Sequence, residues 1–185
     1  FEITRFNLQD IVLQKETLDI SMMLEQLADE SYAVLAEKSL TCSIHTDDNL
    51  LVDADPDKLA RVFDNLLRNA IAYSYPGTNI DIRAFGEQKD IIITFSNQGD
   101  QIPPQKLNFI FEKFYRVDNA RQSRTGGAGL GLSIAKEIVE LHGGAIAASS
   151  SPVCTRFTVK LPRHEEEQPA AAKKWGRIAK NGGKE

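Results

Sequence analysis

The sequence predicts an α/β domain built as a two-layer sandwich, a mixed sheet with its helices on one face. Two long segments, residues 19–38 and 56–73, repeat apolar residues at spacings of three and four, the period of a helix that buries one face. Pairs of short segments alternate apolar and polar residues, as half-buried strands do. The elements follow in the order helix, two strands, helix, two strands, short helix, helix, two strands, which departs from the regular βαβ alternation of a doubly wound sheet.

The first helix is marked by Ile20, Met23, Leu24, Leu27, Val34 and Leu35. Leu40, Cys42 and Ile44 then alternate with polar neighbours, and a turn at Asp47-Asp48-Asn49 leads into Leu50-Leu51-Val52, read as the hairpin partner of that strand. Asp53-Ala54-Asp55-Pro56-Asp57 is acidic enough to suggest a metal cluster. Asp55 followed by Pro56 is also the N-cap and first-turn pair of a helix, and that reading accounts for the proline. The helix so opened turns Leu59, Phe63, Leu66 and Ala70 to the core, while Asn65 and Asn69 project together from another face with Tyr73 one turn on. Asparagine is a poor helix former, so two of them in mid-helix call for a reason other than helix stability.

Tyr75-Pro76-Gly77-Thr78 is a turn, after which Ile80, Ile82 and Ala84 alternate, followed by a strongly β-branched strand from Asp90 to Ser96. Asn97-Gln98-Gly99-Asp100 closes it as a turn that could also meet a ligand edge. Ile102-Pro103-Pro104 starts a helical piece reaching Phe109 to Arg116, and residues 117–125, polar and without period, read as a candidate lid loop. Thr125-Gly126-Gly127-Ala128-Gly129-Leu130-Gly131-Leu132 places four glycines ahead of a helix from Ser133 to His142. Such a turn is either a flexible connection or a phosphate cradle, in which unpaired N–H groups and the positive end of the helix dipole face an anion. It has neither the preceding strand of a dinucleotide fingerprint nor the Gly-Lys-Ser/Thr of a Walker loop. Gly143-Gly144 stops the helix, Ala145–Ser150 and Val153–Leu161 form the closing strands, and Pro162 ends the fold.

The organisation expected is a short remnant of an upstream helix or linker at 1–15, one domain at 16–163 and a C-terminal tail at 164–185. The tail reads as disordered, with Trp175 as the alternative centre of a docking segment. With 185 residues, 42% hydrophobic and 26% charged, the chain can bury a proper core, and a net charge of −4 excludes a broad nucleic-acid-binding face. Cys42 and Cys154 lie in strand-like runs without metal-ligand spacing, which predicts buried thiols in a reducing compartment. No signal peptide and no apolar run of membrane-span length is visible, so no membrane contact is expected of this segment.

Four motifs then converge. Asp64-Asn65-Leu66-Leu67-Arg68-Asn69-Ala70 resembles the N box of sensor histidine kinases, and Asn97-Gln98-Gly99 stands where their first glycine box begins. Phe111-Glu112-Lys113-Phe114-Tyr115-Arg116 resembles the F box, and Gly127 to Leu132 the second glycine box. The phrases Asn69 to Pro76 and Thr125 to Leu132 look most similar to the vancomycin-resistance sensor kinase subgroup. The resemblance covers about residues 18–162 and implies the Bergerat ATP-binding fold, with ATP and Mg²⁺ as ligands.

Carried onto this chain, the resemblance has Asn69 bind Mg²⁺ with Asn65 assisting, Asn97 read adenine, Tyr73 line the nucleotide and Arg116 reach the terminal phosphates, which Gly127, Gly129 and Gly131 cradle. It also draws Gly99, Ile102, Phe114, Thr125, Leu130 and Leu132 into the site. Asn65, Asn69 and Arg116 are the catalytic set so implied. The chemistry is coherent, because a hard cation takes oxygen ligands and phosphoryl transfer is catalysed mainly by positioning and charge neutralisation.

Two departures stand out: the adenine-reading residue is usually Asp, and here it is Asn97; a frequent lysine after the N box is replaced by Ala72. That leaves Arg116, with Arg68 or Arg124 as possible substitutes for the lysine, although an i,i+4 pair with Asp64 is the simpler expectation for Arg68. His45, His142 and His164 all lack a phosphoacceptor context. The resemblance thus implies a catalytic domain acting on a histidine of a missing dimerisation domain, in a homodimeric sensor held at a bacterial membrane with this domain in the cytoplasm and a response regulator as partner. A superfamily ATP hydrolase and a non-catalytic nucleotide-sensing module are the alternatives. In the hydrolases of the superfamily that the resemblance points to, an acidic residue one helical turn before the metal-binding Asn activates water, and there this chain has Asn65, a poor base.

Overall fold

The computed structural model describes residues 12–115 and 129–165. A short strand β1 (Glu16–Asp19) enters the first long helix α1 (Ile20–Glu37), whose N-cap Asp19 accepts the Ser21 N–H at 2.8 Å. Strands β2 (Thr41–Thr46) and β3 (Leu51–Ala54) precede α2 (Pro56–Tyr73), and β4 (Asn79–Glu87) and β5 (Asp90–Asn97) precede the short α3 (Pro104–Leu107). Helix α4 (Gly131–Leu141) and the strands β6 (Ala145–Ser150) and β7 (Thr155–Pro162) complete the order.

The main sheet runs β2-β4-β5-β7-β6, parallel between β2 and β4 and antiparallel elsewhere, so the mixed sheet expected from the sequence is present. The alternating residues Ile80, Ile82, Ala84, Ile91, Ile93, Phe95, Phe157, Val159 and Leu161 face the helices and join Leu24, Leu59, Phe63, Leu66, Ala70, Ala135 and Val139 in one buried cluster. Within it the rings of Phe63 and Phe95 lie 5.9 Å apart. The periodicity that forms α2 therefore also fixes which of its faces is left for Asn65 and Asn69.

Several expectations are corrected. Leu50-Leu51-Val52 is not the hairpin partner of β2: β3 pairs antiparallel with β1, Thr17 opposite Asp53, in a separate two-stranded sheet. The Ile20 N–H bonds the Leu50 carbonyl at 3.0 Å and Leu50 is buried, which draws this stretch to the start of α1, while β2 takes β4 by way of the crossover that α2 supplies. The helical piece after Pro103 ends at Leu107. From there the Phe109 N–H bonds the Lys106 carbonyl, Glu112 that of Phe109 and Tyr115 that of Glu112, a run of three-residue turns.

Val34, counted on the packing face of the first helix, is exposed, Val153 lies exposed ahead of β7 (Thr155–Pro162) instead of opening it, and both cysteines are only half-buried. Nor does the chain leave the domain at Pro162. The His164 N–H bonds the Leu51 carbonyl, and its ring lies 2.8 Å from both carboxylate oxygens of Asp53, which also accepts the Thr17 hydroxyl. That ring and Thr17 hold the Asp53 carboxyl below the usual carboxylate range against a weaker effect of burial. No helix among the described residues is long and apolar enough to cross a membrane.

Candidate nucleotide site

The acidic stretch before α2 is a cap. Asp55 accepts the Lys58 N–H at 3.2 Å, Pro56 fills the first helical position, and among the described residues no group of three or more His, Cys, Asp or Glu is disposed to hold a metal. Along α2 the seven buried residues from Leu59 to Ile71 pack inward, leaving Asn65 and Asn69 half-buried at the edge of that face. Arg68 forms the expected i,i+4 pair with Asp64, at 2.7 and 2.8 Å, exposed to solvent.

Helix α4 brings the glycine turn to Asn65. A Cβ on Gly131, the first residue of α4, would lie 3.3 Å from Asn65 Oδ1, so the amide sits directly beneath the opening of that helix. Asn65 Nδ2 is the one buried side-chain polar atom among the described residues without a hydrogen-bond partner. An orphaned buried donor costs free energy, which a bound oxygen ligand would recover. The start of α4 carries no side-chain cap and no acidic residue in its first turn, so the positive end of its dipole suits an anion. At the turn itself, Gly129 has φ +73°, a region L side chains rarely adopt, and its carbonyl accepts the Phe114 N–H at 3.1 Å. Phe114, itself at φ +65° and 69% exposed, is thereby placed beside the glycine turn.

The other wall is the end of β5. Asn97 is 3% exposed, and Gly99 lies against the last carbonyl of α2: a Cβ there would be 1.9 Å from the Tyr73 oxygen. The Tyr75 N–H bonds the Gln98 carbonyl at 2.8 Å and the Tyr75 hydroxyl donates to Asp100 at 2.6 Å, which raises the Tyr75 pKa by favouring the protonated phenol. The Ile102 N–H donates to Ser150 Oγ at 2.9 Å while its side chain packs on the core.

Asn65, Gly129, Leu130, Gly131 and Leu132 thus gather at the α2–α4 edge, with Phe114 bonded to the turn. Asn97 and Gly99 stand with the half-exposed Tyr73 at the end of α2. Arg116, Thr125 and Gly127, like the 117–125 loop, lie outside the described residues. The Gly99–Tyr73 approach, the Tyr75–Asp100 bond and the Ser150 contact to Ile102 left no sign in the sequence, because each joins segments whose local patterns say only turn or strand.

Residues 54–165 match the family described as histidine kinase-, DNA gyrase B- and HSP90-like ATPase. The Enterococcus faecium sensor protein VanS is 55% identical over 163 residues, 88% of this chain and 42% of its own length. The Enterococcus gallinarum sensor protein VanSC is 48% identical over the same 163-residue extent, 88% of this chain and 45% of its own. The histidine kinase ThkA, solved in complex with the response regulator protein TrrA, superposes with a TM-score of 0.71 at 23% identity, covering 85% of this chain and 44% of that one, a likeness of fold.

The chain belongs to the histidine kinase-, DNA gyrase B- and HSP90-like ATPase family. Within it, the chain is the ATP-binding catalytic domain of a two-component sensor histidine kinase, and it spans less than half the length of the curated relatives it matches.

Proposed function

We propose that this domain transfers the γ-phosphate of Mg-ATP to a histidine presented by a dimerisation domain outside this sequence, and that the complete protein is a homodimeric membrane sensor passing the phosphate to a response regulator. The high identity to sensor proteins supports the kinase branch, and the ThkA–TrrA complex supports a regulator partner. In this reading the domain faces the cytoplasm, where ATP is available.

The observation that carries the site is the orphaned Asn65 amide beneath the uncapped start of α4. The donor set fits a hard cation shared with phosphates: Asn69 and Asn65 supply amide groups, and no cluster of carboxylates competes among the described residues. Mg²⁺, when bound, would neutralise phosphate charge and orient the transferred group. Asn69 would hold it through its side-chain oxygen with Asn65 assisting. The amides of Gly129 and Gly131, with Gly127 beyond the described residues, would receive phosphate oxygens, and Arg116 and Thr125 would close that end.

Asn97 would accept the adenine amino group beside the gap that Gly99 leaves, with Tyr73, Ile102, Phe114, Leu130 and Leu132 around the nucleotide. None of these residues is a base able to activate water at the metal, so the phosphate should stay on ATP until an imidazole arrives in line.

Labelled Mg-ATP, with and without a separately supplied phosphoacceptor helix pair, tests this. Acid-labile label should appear on the acceptor alone, slowly and in proportion to its concentration, because the covalent tether is absent. Asn69→Ala should reduce transfer about a hundredfold or more with the fold intact, the scale of losing one preorganised charge-stabilising group. Label on the isolated chain, or rapid phosphate release without acceptor, would overturn the reading, the latter in favour of an ATP hydrolase.

A further inference from the structure

Asp55 has every polar group engaged, and its partners come from three different elements. Its carbonyl accepts the Leu59 N–H at 2.9 Å to start α2, and Oδ1 accepts the Lys58 N–H at 3.2 Å as the cap. Oδ2 accepts the Gln14 N–H at 3.1 Å from the segment entering β1. Its own N–H donates to Nε2 of His142, at the end of α4, at 3.0 Å. The His142 ring is 4% exposed and its Nδ1 lies 2.7 Å from the Ile138 carbonyl. Nε2 must be bare to accept, so Nδ1 carries the proton and donates to Ile138: the ring is neutral and used on both sides.

The Asp55–His142 contact and the Asn65–Gly131 contact lie at opposite ends of one helix pair. From Asp55 to Asn65 is 10 residues of α2, about 15 Å at 1.5 Å per residue, and from Gly131 to His142 is 11 residues of α4, about 16 Å. The two helices therefore run antiparallel between two fixed points of matching separation, and a slide at one end must appear at the other. On its outer side Asp55 borders an open hollow of about 310 Å³ that Gln14, Glu16, Asp57 and Lys58 also line. The entering segment is thus held to Asp55 by a hydrogen bond with space around it.

We propose that Asp55 and His142 are positioning residues that set the register of α2 against α4, and hence the seat of the Asn65 amide under the glycine turn. Through the Gln14 bond this register responds to the segment that enters at β1. The functional part of the inference rests on the reading of the α2–α4 edge as the nucleotide site; the mechanical part does not.

Asp55→Asn is the sharp test. Asparagine caps a helix as well as aspartate, so α2 keeps its start, while the amide NH₂ cannot accept the Gln14 N–H. His142→Leu removes the second link, and His142→Gln keeps an acceptor near the Nε2 position. In the nucleotide-free chain, the side-chain amide resonances of Asn65 and the backbone amide of Gly131 should shift in Asp55→Asn and His142→Leu and return toward wild type in His142→Gln. The Kd for Mg-ADP should rise about threefold to tenfold in the first two, the range of coupling carried through packed elements.

Unmoved Asn65 and Gly131 resonances in both Asp55→Asn and His142→Leu would overturn the proposal. Resonances that move while Mg-ADP fails to bind even the wild-type chain would leave the joint standing and remove the nucleotide reading. Should Asp55→Asn not fold, the contrast between His142→Leu and His142→Gln decides, since loss of structure alone would not be rescued at Asn65 by restoring an acceptor some 15 Å away.

Discussion

Replacing Gly99 by alanine puts one methyl group into the contact between the end of β5 and the end of α2. The Cβ would stand 1.9 Å from the Tyr73 carbonyl oxygen and 3.1 Å from its carbon, whereas ordinary contact begins at 3.4 Å. Relief therefore requires an opening of about 1.5 Å between two backbone segments, neither of which is a flexible side-chain end. The Tyr75–Gln98 and Tyr75–Asp100 bonds tie the same segments together and resist it. Overpacking of this kind costs about 1–3 kcal/mol, offset by about 0.4–1 kcal/mol from the reduced freedom of the unfolded chain. The net loss, about 1–2 kcal/mol, should lower Tm by about 2–8 °C. Because the displaced segments carry Tyr73 and Asn97, the Kd for Mg-ADP should rise by about tenfold or more, a misplacement of about 1 Å being enough for large losses. Calorimetric titration and a thermal melt read both effects. Gly86→Ala is the control, since its Cβ would meet only the Arg163 side chain at 3.4 Å. A Gly99→Ala chain that melts and binds like wild type would refute the argument that this gap must stay empty.

Asn97→Asp should preserve or tighten nucleotide binding, because a carboxylate accepts the adenine amino group more strongly than an amide oxygen does; loss of Mg-ADP binding in a folded variant would show that Asn97 acts as a donor. Cys42 offers a pH prediction: burial, helped by the Asp81 carboxylate, pushes its thiol from 9.0 up to about 11. The raised value means that this contribution to stability is complete below pH 9 and is lost as pH rises toward 11. At pH 8 the native thiolate fraction is about a hundredfold below that of the unfolded chain, so in a Cys154→Ser background iodoacetamide should modify native Cys42 about a hundredfold more slowly. Equal rates in native and unfolded chains would contradict it.

The elements that the sequence announced correctly are those whose signal is complete within themselves. Helix α2 was legible to the residue because Asp55-Pro56 marks its start and its apolar period runs unbroken to Ala70. Strands β4 and β5 were legible because Ile80, Ile82 and Ala84 alternate and a β-branched run starts at Asp90; the structure joins them as a tight hairpin, with Glu87 opposite Asp90 and Gln88 at φ +55°. What failed was partner choice. Leu50-Leu51-Val52 follows a strand after a turn, and local rules join neighbours; its real partner, β1, is a four-residue strand with no pattern of its own, selected by Leu50 being drawn beneath Ile20. The helical piece expected to reach Arg116 stops at Leu107 for a related reason: Phe111 is edge-on to Phe157 and Phe109 lies against Tyr115, contacts with distant or turned segments that the local sequence does not announce.

The same division runs through the site. Asn65 and Asn69 were visible as helix-unfavourable residues at matching spacing, and the glycine turn as a concentration of residues able to approach a ligand, because binding groups conflict with local propensity and so stand out from it. By its local pattern Gly99 is a turn residue, and only the resemblance drew it into the site; that it must lack a side chain follows from where the α2 C-terminus ends in space. His142 was the least legible of all. In the sequence it is a histidine at a helix end before two glycines, and its chemistry is negative, since it has no phosphoacceptor context. In the structure that same neutrality is what it contributes: Nε2 can receive the Asp55 N–H only while unprotonated, and no residue adjacent in sequence reveals that a backbone donor 87 positions away is its partner. A phosphate site built from helix ends and backbone amides depends on how two helices are registered, so its supporting residues are found where those helices finish, at Asp55 and His142, as well as where the ligand sits.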